Sequence, residues 1–203
     1  MKERPILFSA PMVRALLNGT KSQTRRVVKQ TLERLGDGDW YAFDHKGINY
    51  RVNARHTTVA AWAHLLQFCP YGQPGDRLWV RETWTQEWMR PRQGAEVFYR
   101  ADGEVAPEFE PWIPSIHMFR WASRILLEIV SVRVERLQDI SEADALAEGV
   151  TVTPCKPSQA ERMGRHAFRS LWEDINGNTP AEWAANPWVW VVEFKQVILD
   201  TSK

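Results

Sequence analysis

The chain of 203 residues is poor in the residues that build disulfide frameworks and metal sites. It has two cysteines, Cys69 and Cys155, and two isolated thiols do not make a disulfide framework. Its five histidines form no CxxC, HxH or HExxH spacing, although ligands brought together in space would leave no such signature. We therefore expect no structural zinc site, and a function that needs no metal or other cofactor.

Long apolar runs and a strong net charge are also missing. No stretch approaches the roughly 18 apolar residues that a membrane span requires, and residues 1–5 precede no apolar run of signal-peptide length. We expect a soluble protein of the cytoplasm with no membrane partner. The formal net charge is only +1, so any attraction to nucleic acid must come from local clusters of basic residues.

The composition is that of a globular protein. Hydrophobic residues make up 44% of the chain and charged residues 25%, and the length suits one domain, residues 1–203, better than two. Eleven tryptophans are many for this length. Most of them are expected in the core, whereas tryptophans beside arginines suit stacking on nucleic-acid bases.

Hydrophobic periodicity predicts mostly strands, with short helices and long connections. Strands are expected at residues 5–8, 24–28, 77–82, 97–100, 124–136 and 188–197. Helices are expected to begin with capping serines at Ser9, Ser141 and Ser158 and to end at Gly19, Gly149 and Gly177. The third helix is expected to bury Met163, Ala167, Leu171, Trp172 and Ile175. This order of elements predicts an α+β fold, with a small mixed barrel and helical additions.

A basic loop follows the first predicted helix. Residues 1–30 contain seven Lys or Arg and one acidic residue, and three of these cations fall within 21–26, beside the hydroxyls of Thr20 and Thr24. Such a loop can hold phosphate, since Arg gives bidentate contacts and Lys a point charge. The alternative is a solvated basic surface.

Two further features have a functional and a structural interpretation. The stretch from Trp112 to Arg124 contains Arg120 and Trp121 and could stack nucleic-acid bases, or Trp121 could enter the core. Glu148 lies in the last turn of its predicted helix, where the helix dipole disfavours a carboxylate. It could serve as a proton donor, or it could be a frayed and exposed acid.

The pattern Gly19-x-Lys21-x-x-Thr24-x-Arg26 resembles that of the ASCH family, within the PUA-like superfamily. Further segments follow in the order that this family shows, and the chain is similar to the longer ASCH-domain proteins carried by prophages and phages. The likeness covers residues 5–30, 71–84, 120–150 and 186–197. It implies a PUA-like small mixed β-barrel with flanking short helices, and insertions at about 31–70 and 85–119.

The resemblance also implies a reaction. Small bacterial members are amidohydrolases of N4-acetylcytidine, and their catalytic groups map onto Lys21, Thr24 and Glu148 of this chain. On that mapping Thr24 would attack the amide carbonyl, Lys21 would take its proton, and Glu148 would protonate the leaving amine. Arg26 matches the family's Arg and could hold a phosphate or a substrate oxygen.

Three classes of function stay open at this point. The first is the amidohydrolase acting on nucleosides or nucleic acid. The second is a non-catalytic module that binds RNA or modified-base DNA, with a nuclease as a variant that lacks a recognisable metal site. Its expected binding residues are Thr20, Arg25, Arg26, Arg120, Trp121 and Arg124. The third is a phage accessory protein that acts on a host protein through its tryptophan-rich surface.

Overall fold

The computed structural model describes residues 1–29, 31–34, 40–43, 49–52, 66–87, 93–103, 111–152 and 157–197. The strands are β1 (Glu3–Leu7), β2 (Gln23–Val27), β3 (Thr31–Arg34), β4 (Trp40–Phe43), β5 (Asn49–Val52), β6 (Arg77–Arg81), β7 (Trp84–Gln86), β8 (Val97–Tyr99), β9 (Leu126–Arg136) and β10 (Trp188–Val197). The α-helices are α1 (Ala10–Leu17), α2 (Glu142–Ala147) and α3 (Pro157–Asn176). None of these helices is both long and apolar enough to cross a membrane.

The main sheet has five strands in the order β1-β6-β9-β10-β2. β1 runs parallel to β6, and the other neighbours are antiparallel. β3, β4 and β5 form a separate three-stranded sheet, and β7 pairs with β8. The predicted α+β class is confirmed. The described strands nevertheless form open sheets and no closed barrel, because the edge strands β1 and β2 are not hydrogen-bonded to each other. In the chain these two strands are connected by α1.

β10 lies between β9 and β2, and both of its faces are covered. Trp190, Val192 and Phe194 pack on one face of the sheet with Val13 and Leu16 of α1. The alternate residues of β10 pack on the opposite face, against α3 and the turn that follows it. A strand covered on both faces reads as a nearly continuous apolar run.

The helix ends follow the predictions in part. The Ser141 hydroxyl accepts a hydrogen bond from the amide of Asp144 and so caps α2. α1 begins directly after Ser9 as expected, but the Ser9 hydroxyl makes no capping hydrogen bond. In α3 the predicted burial of Ile175 is wrong, since this side chain is 60% exposed and lies at the edge of a cavity. The start predicted at Ser158 and the helix's actual start at Pro157 agree within one residue.

Candidate functional site

The loop between α1 and β2 is held against the end of α2. The backbone of Lys21 forms an antiparallel bridge with that of Glu148, and the amide of Ser22 donates to Ala147 O at 2.9 Å. Gly149 makes this approach possible. Its φ is +83°, and a Cβ there would lie 2.7 Å from the Ala15 Cβ and 2.9 Å from the Lys21 Cβ. Two segments 127 residues apart in the chain thereby meet at one point.

Lys21 is buried, at 4% exposure, and all three hydrogens of its ammonium group have acceptors. Its Nζ donates to Glu148 Oε2 at 3.0 Å, to Glu148 O at 2.8 Å and to Gln23 O at 2.9 Å. Burial lowers the pKa of Lys21 from its ordinary 10.5, and the adjacent Glu148 carboxylate opposes that shift. The buried amine is thus easier to deprotonate than an exposed lysine.

Glu148 is the residue that joins two buried cations. It is 3% exposed, and its other oxygen, Oε1, accepts from Arg25 Nη1 at 3.1 Å. The interpretation of Glu148 as a frayed and exposed acid is therefore wrong, because the bridge to Lys21 draws it inward. It lies directly after α2, at the C-terminal cap. Two donors fix the plane of its carboxylate.

Arg25 is fully engaged by acidic side chains. It is 3% exposed, and besides Glu148 it binds Glu135 through Nε and Nη2 and lies 3.5 Å from Asp144 Oδ2. The expectation that Arg25 binds a ligand stays a prediction, but its charge is already matched by carboxylates. In the structure it positions Glu148.

A cavity of about 440 Å³ adjoins this cluster. Its wall contains Lys21, Thr24, Arg25, Arg26 and Glu148, so the structure brings the three predicted catalytic residues to one place. The other lining residues are Leu7, Phe8, Ser9, Met12, Val27, Thr83, Ser115, Phe168, Leu171, Trp172, Ile175 and Asn176.

The Thr24 side chain differs from its charged neighbours, because it has no hydrogen-bond partner among the described residues. It is 3% exposed, and among the described residues its hydroxyl makes no hydrogen bond, including none to Lys21. Since Thr24 lines the cavity, its hydroxyl is available to a molecule bound there.

Arg26 lies at the same cavity but outside the buried ion pairs. Its Nη2 donates to Leu7 O at 2.6 Å, and its guanidinium carbon lies 5.2 Å from the centre of the Phe8 ring. The Lys21 amine lies 5.3 Å from the same ring. Within the part of the chain that the structure describes, Arg26 has no carboxylate partner.

The other predicted binding residues do not line this cavity. The Thr20 hydroxyl donates to Ala15 O at 3.1 Å, and Thr20 lines a second cavity of about 780 Å³ beside α1. Arg120 pairs with Glu3 at 2.9 Å. The roles of these residues in binding stay predictions, and their side chains lie on other parts of the surface than the cavity lined by Lys21.

The stretch around Arg124 and Trp121 forms its own cluster. Arg124 binds both Glu82 and Asp102 through pairs of hydrogen bonds of 2.7–3.0 Å, and lies 3.9 Å above the Tyr99 ring. Trp121 stacks on Phe119 with ring centres 5.9 Å apart. The interpretation in which Trp121 packs inside the protein agrees with its contact with the buried Trp84.

Several residues of the site carry no signal in the sequence. Glu135 and Asp144 hold Arg25, and Gln23 donates to Asp144 Oδ1 at 3.0 Å. The alternation of β9 predicts that Glu135 faces away from the valines, but no pattern indicates its partner. Phe8 and Trp172, which form apolar walls of the cavity, appear only as ordinary members of hydrophobic stripes.

Comparison of the chain with protein-family models, with curated proteins and with solved structures finds no match in any of the three. Among the described residues, no group of three or more His, Cys, Asp or Glu side chains is arranged to hold a metal ion.

Proposed function

We propose that this protein binds an N4-acylated cytosine nucleoside in the cavity and hydrolyses its amide bond. The observation that carries the proposal is the unpartnered Thr24 hydroxyl at the cavity, beside the buried Lys21–Glu148 ion pair. A nucleophile, a base and an acid within one cleft are the parts that amide hydrolysis requires. The resemblance of the basic loop to the ASCH pattern supports the same assignment.

The size and lining of the cavity suit a nucleoside. Its volume of about 440 Å³ lies within the range of roughly 300–1,000 Å³ that is usual for small-molecule sites. Phe8 and Trp172 supply aromatic surface for the faces of a base, and Ser115 and Asn176 supply polar groups for its edge or its sugar.

Lys21 and Glu148 can accept and supply the protons that the reaction moves. Burial lowers the pKa of Lys21, and in the proposed first step the amine gives up the proton of its hydrogen bond to Glu148 Oε2. The Lys21 amine then accepts the proton of Thr24 as Thr24 Oγ1 attacks the acyl carbonyl. When the tetrahedral intermediate collapses, the carboxylic acid of Glu148 protonates the leaving exocyclic nitrogen.

The first half-reaction leaves cytidine and an acyl ester on Thr24. Lys21 is again an ammonium group and Glu148 a carboxylate, as at the start. A water molecule then attacks the ester, which returns the Thr24 hydroxyl and releases the carboxylic acid. Each proton that leaves Thr24 or enters the leaving amine is thereby accounted for.

The test is the release of cytidine from N4-acetylcytidine by the purified protein. Thr24→Val is the most informative variant, because the Thr24 hydroxyl has no partner in the described structure and its loss removes no hydrogen bond. We expect Thr24→Val and Lys21→Met to lower kcat by about 10²- to 10⁴-fold, and Thr24→Ser to retain a measurable rate.

The matched control variants change residues outside the cavity. Thr20→Val removes a nearby threonine hydroxyl, and Lys195→Met removes an exposed lysine that pairs with Glu128. Both controls should turn over at the wild-type rate. Absence of cytidine release by the wild type, or equal rates for wild type and Lys21→Met, would overturn the proposal.

A second function, base binding without catalysis, is favoured by one observation. The Lys21 ammonium group donates its three hydrogen bonds to Gln23 and Glu148, and none of these hydrogen bonds involves Thr24. A module that reads modified bases would bind N4-acetylcytidine and never form an ester on Thr24. Mass spectrometry of the protein in the first turnovers separates the two, since an added acyl group on Thr24 occurs only in the enzyme.

A further inference from the structure

The cavity has a charge asymmetry between its floor and its mouth. At the floor, the two buried cations, Lys21 and Arg25, are bound by carboxylates. At the mouth, which we define by the exposed Ser9 and the half-buried Arg26, the Arg26 side chain contacts Leu7 O and the Phe8 ring, and no carboxylate of the described residues reaches it. A cation that is not paired within the protein is the group an anionic ligand would meet first.

The start of α1 lies beside this arginine. Ser9 lines the cavity, stands two residues after the carbonyl that anchors Arg26, and leaves its hydroxyl out of the helix cap. The first turn of a helix has amides without intrahelical partners, and in α1 these belong to Ala10 and Met12, since Pro11 has none. Together with the helix dipole they favour an anion at this end.

A second, independent observation indicates that a ligand enters here. Thr24 is 3% exposed, has no hydrogen-bond partner among the described residues, and lines the same cavity. Thr24, Arg26 and Ser9 line the same cavity, so a ligand bound against Thr24 can also contact Arg26 and the start of α1. One end of it would lie among aromatic side chains, and the other beside positive charge.

We infer that the mouth of the cavity carries a phosphate subsite, formed by Arg26, the Ser9 hydroxyl and the N-terminus of α1. The preferred ligand is then a phosphorylated cytosine nucleotide and not the neutral nucleoside. That its base is N4-acylated rests on the proposed function, whereas the phosphate subsite does not. The Arg26 guanidinium forms paired hydrogen bonds with two phosphate oxygens, and Ser9 donates to a third.

The experiment measures binding separately from turnover. Cytidine and cytidine 5′-monophosphate are titrated into the wild type, with tryptophan fluorescence as the readout because Trp172 lines the cavity. We expect the monophosphate to bind about 10- to 100-fold more tightly, the range expected for a few charge-assisted hydrogen bonds. Arg26→Gln should remove most of this preference, and raising the salt concentration should reduce it.

Two further variants keep the result interpretable. Arg136→Gln is the matched control, because Arg136 also donates to a backbone carbonyl, that of Asn186, and lies over an aromatic ring, that of Trp188, but outside the cavity. It should retain the wild-type preference. Ser9→Asp places a carboxylate at the mouth while keeping a residue suited to a helix start, so it should also remove the preference.

The outcomes separate the subsite from the reaction. Tighter binding of the monophosphate without any amide hydrolysis would support the subsite and count against the proposed function. Hydrolysis of N4-acetylcytidine with equal affinities for cytidine and its monophosphate would overturn the subsite alone.

A third arm identifies the source of the phosphate. A short cytidine oligoribonucleotide that binds more tightly than the monophosphate, and loses that advantage in Arg26→Gln, would assign the subsite to a strand phosphodiester. Equal loss of affinity for cytidine and for its monophosphate in Arg26→Gln would contradict a phosphate subsite.

Discussion

Two clusters of charge in this molecule are built from similar residues and have different surroundings. In the first, Glu148 joins Lys21 and Arg25 at the floor of a cavity. In the second, Arg124 lies between Glu82 and Asp102 and above a tyrosine ring, and it does not line that cavity. The sequence indicates both as possible binding sites, and the difference between them lies in what surrounds the charges.

The first cluster is almost closed to solvent, whereas the second is partly open. The side chains of Lys21, Arg25 and Glu148 are all nearly fully buried. In the second cluster Glu82 is also buried, but Arg124 is 26% and Asp102 33% exposed. An ion pair in the interior is costly to break, because the remaining charge has neither water nor a partner. A charge cluster is thus better evidence for a site where it is buried beside a cavity and an unpartnered hydroxyl.

The largest expected effect comes from removing the shared carboxylate. Glu148→Gln leaves Lys21 and Arg25 buried without their common partner, and should lower the free energy of unfolding by about 3–5 kcal/mol. Glu82→Gln should lower it by only about 1–2 kcal/mol. Arg124 keeps Asp102, and burial raises the pKa of Glu82, so a neutral group is better tolerated there.

Urea unfolding measures both values. Glu173→Gln serves as the control, since Glu173 forms only an exposed pair with Arg169 at 3.9 Å, and should change stability by less than about 0.5 kcal/mol. A loss for Glu82→Gln as large as that for Glu148→Gln would show that Asp102 does not compensate the charge of Arg124 as we expect.

The same contrast explains what the sequence can predict. Periodicity places β9 and β10 within two residues of their observed ends, because each strand is bounded by clear turn signals. It cannot show that β9 pairs with β10 and β10 with β2, and this pairing brings Glu135 to Arg25. Local patterns determine the elements, whereas the partners of a charged side chain depend on register between distant strands.

The site shows the same limit. The loop pattern and the resemblance single out Lys21, Thr24 and Glu148, which the structure places at one cavity. They do not show that carboxylates neutralise Arg25 and not its neighbour Arg26. The two arginines have different partners because adjacent strand residues face opposite sides of the sheet. The meeting of Lys21 with Glu148 depends on the close approach at Gly149, which only the folded chain reveals.

A smaller effect is expected from alkaline pH, with opposite signs in the two clusters. The folded-state pKa of Lys21 is lowered below 10.5, so between the two values the unfolded chain binds more protons and stability rises with pH. The folded-state pKa of Tyr99 is raised by burial from 10.0 to about 12. Between these values the folded chain keeps the proton, and stability falls as the pH rises.

Differences between variants isolate each contribution. Unfolding free energies of wild type, Lys21→Met and Tyr99→Phe are measured by urea between pH 7 and 12. Subtraction removes groups common to all three, including Tyr71, whose pKa is also raised by burial. In Lys21→Met the part of the free energy of unfolding that rises with pH should be absent. In Tyr99→Phe the free energy of unfolding should fall less steeply above pH 10. If the difference in free energy of unfolding between the wild type and Lys21→Met fell as the pH rises, the lowered pKa of Lys21 would be contradicted.

The smallest effect is expected at Arg120, which the sequence groups with Arg124 but the structure places on the surface. Arg120 pairs with Glu3, and both side chains are about 40% exposed. Exposed pairs contribute roughly 0–1 kcal/mol, since solvent screens them and ordering their side chains costs entropy. Arg120→Ala should therefore change the free energy of unfolding by less than about 0.5 kcal/mol and leave cytidine 5′-monophosphate binding unaltered. A tenfold loss of that affinity would extend the ligand site from the cavity to the Trp121 stretch, and the contrast between the two clusters would then no longer separate a site from a surface.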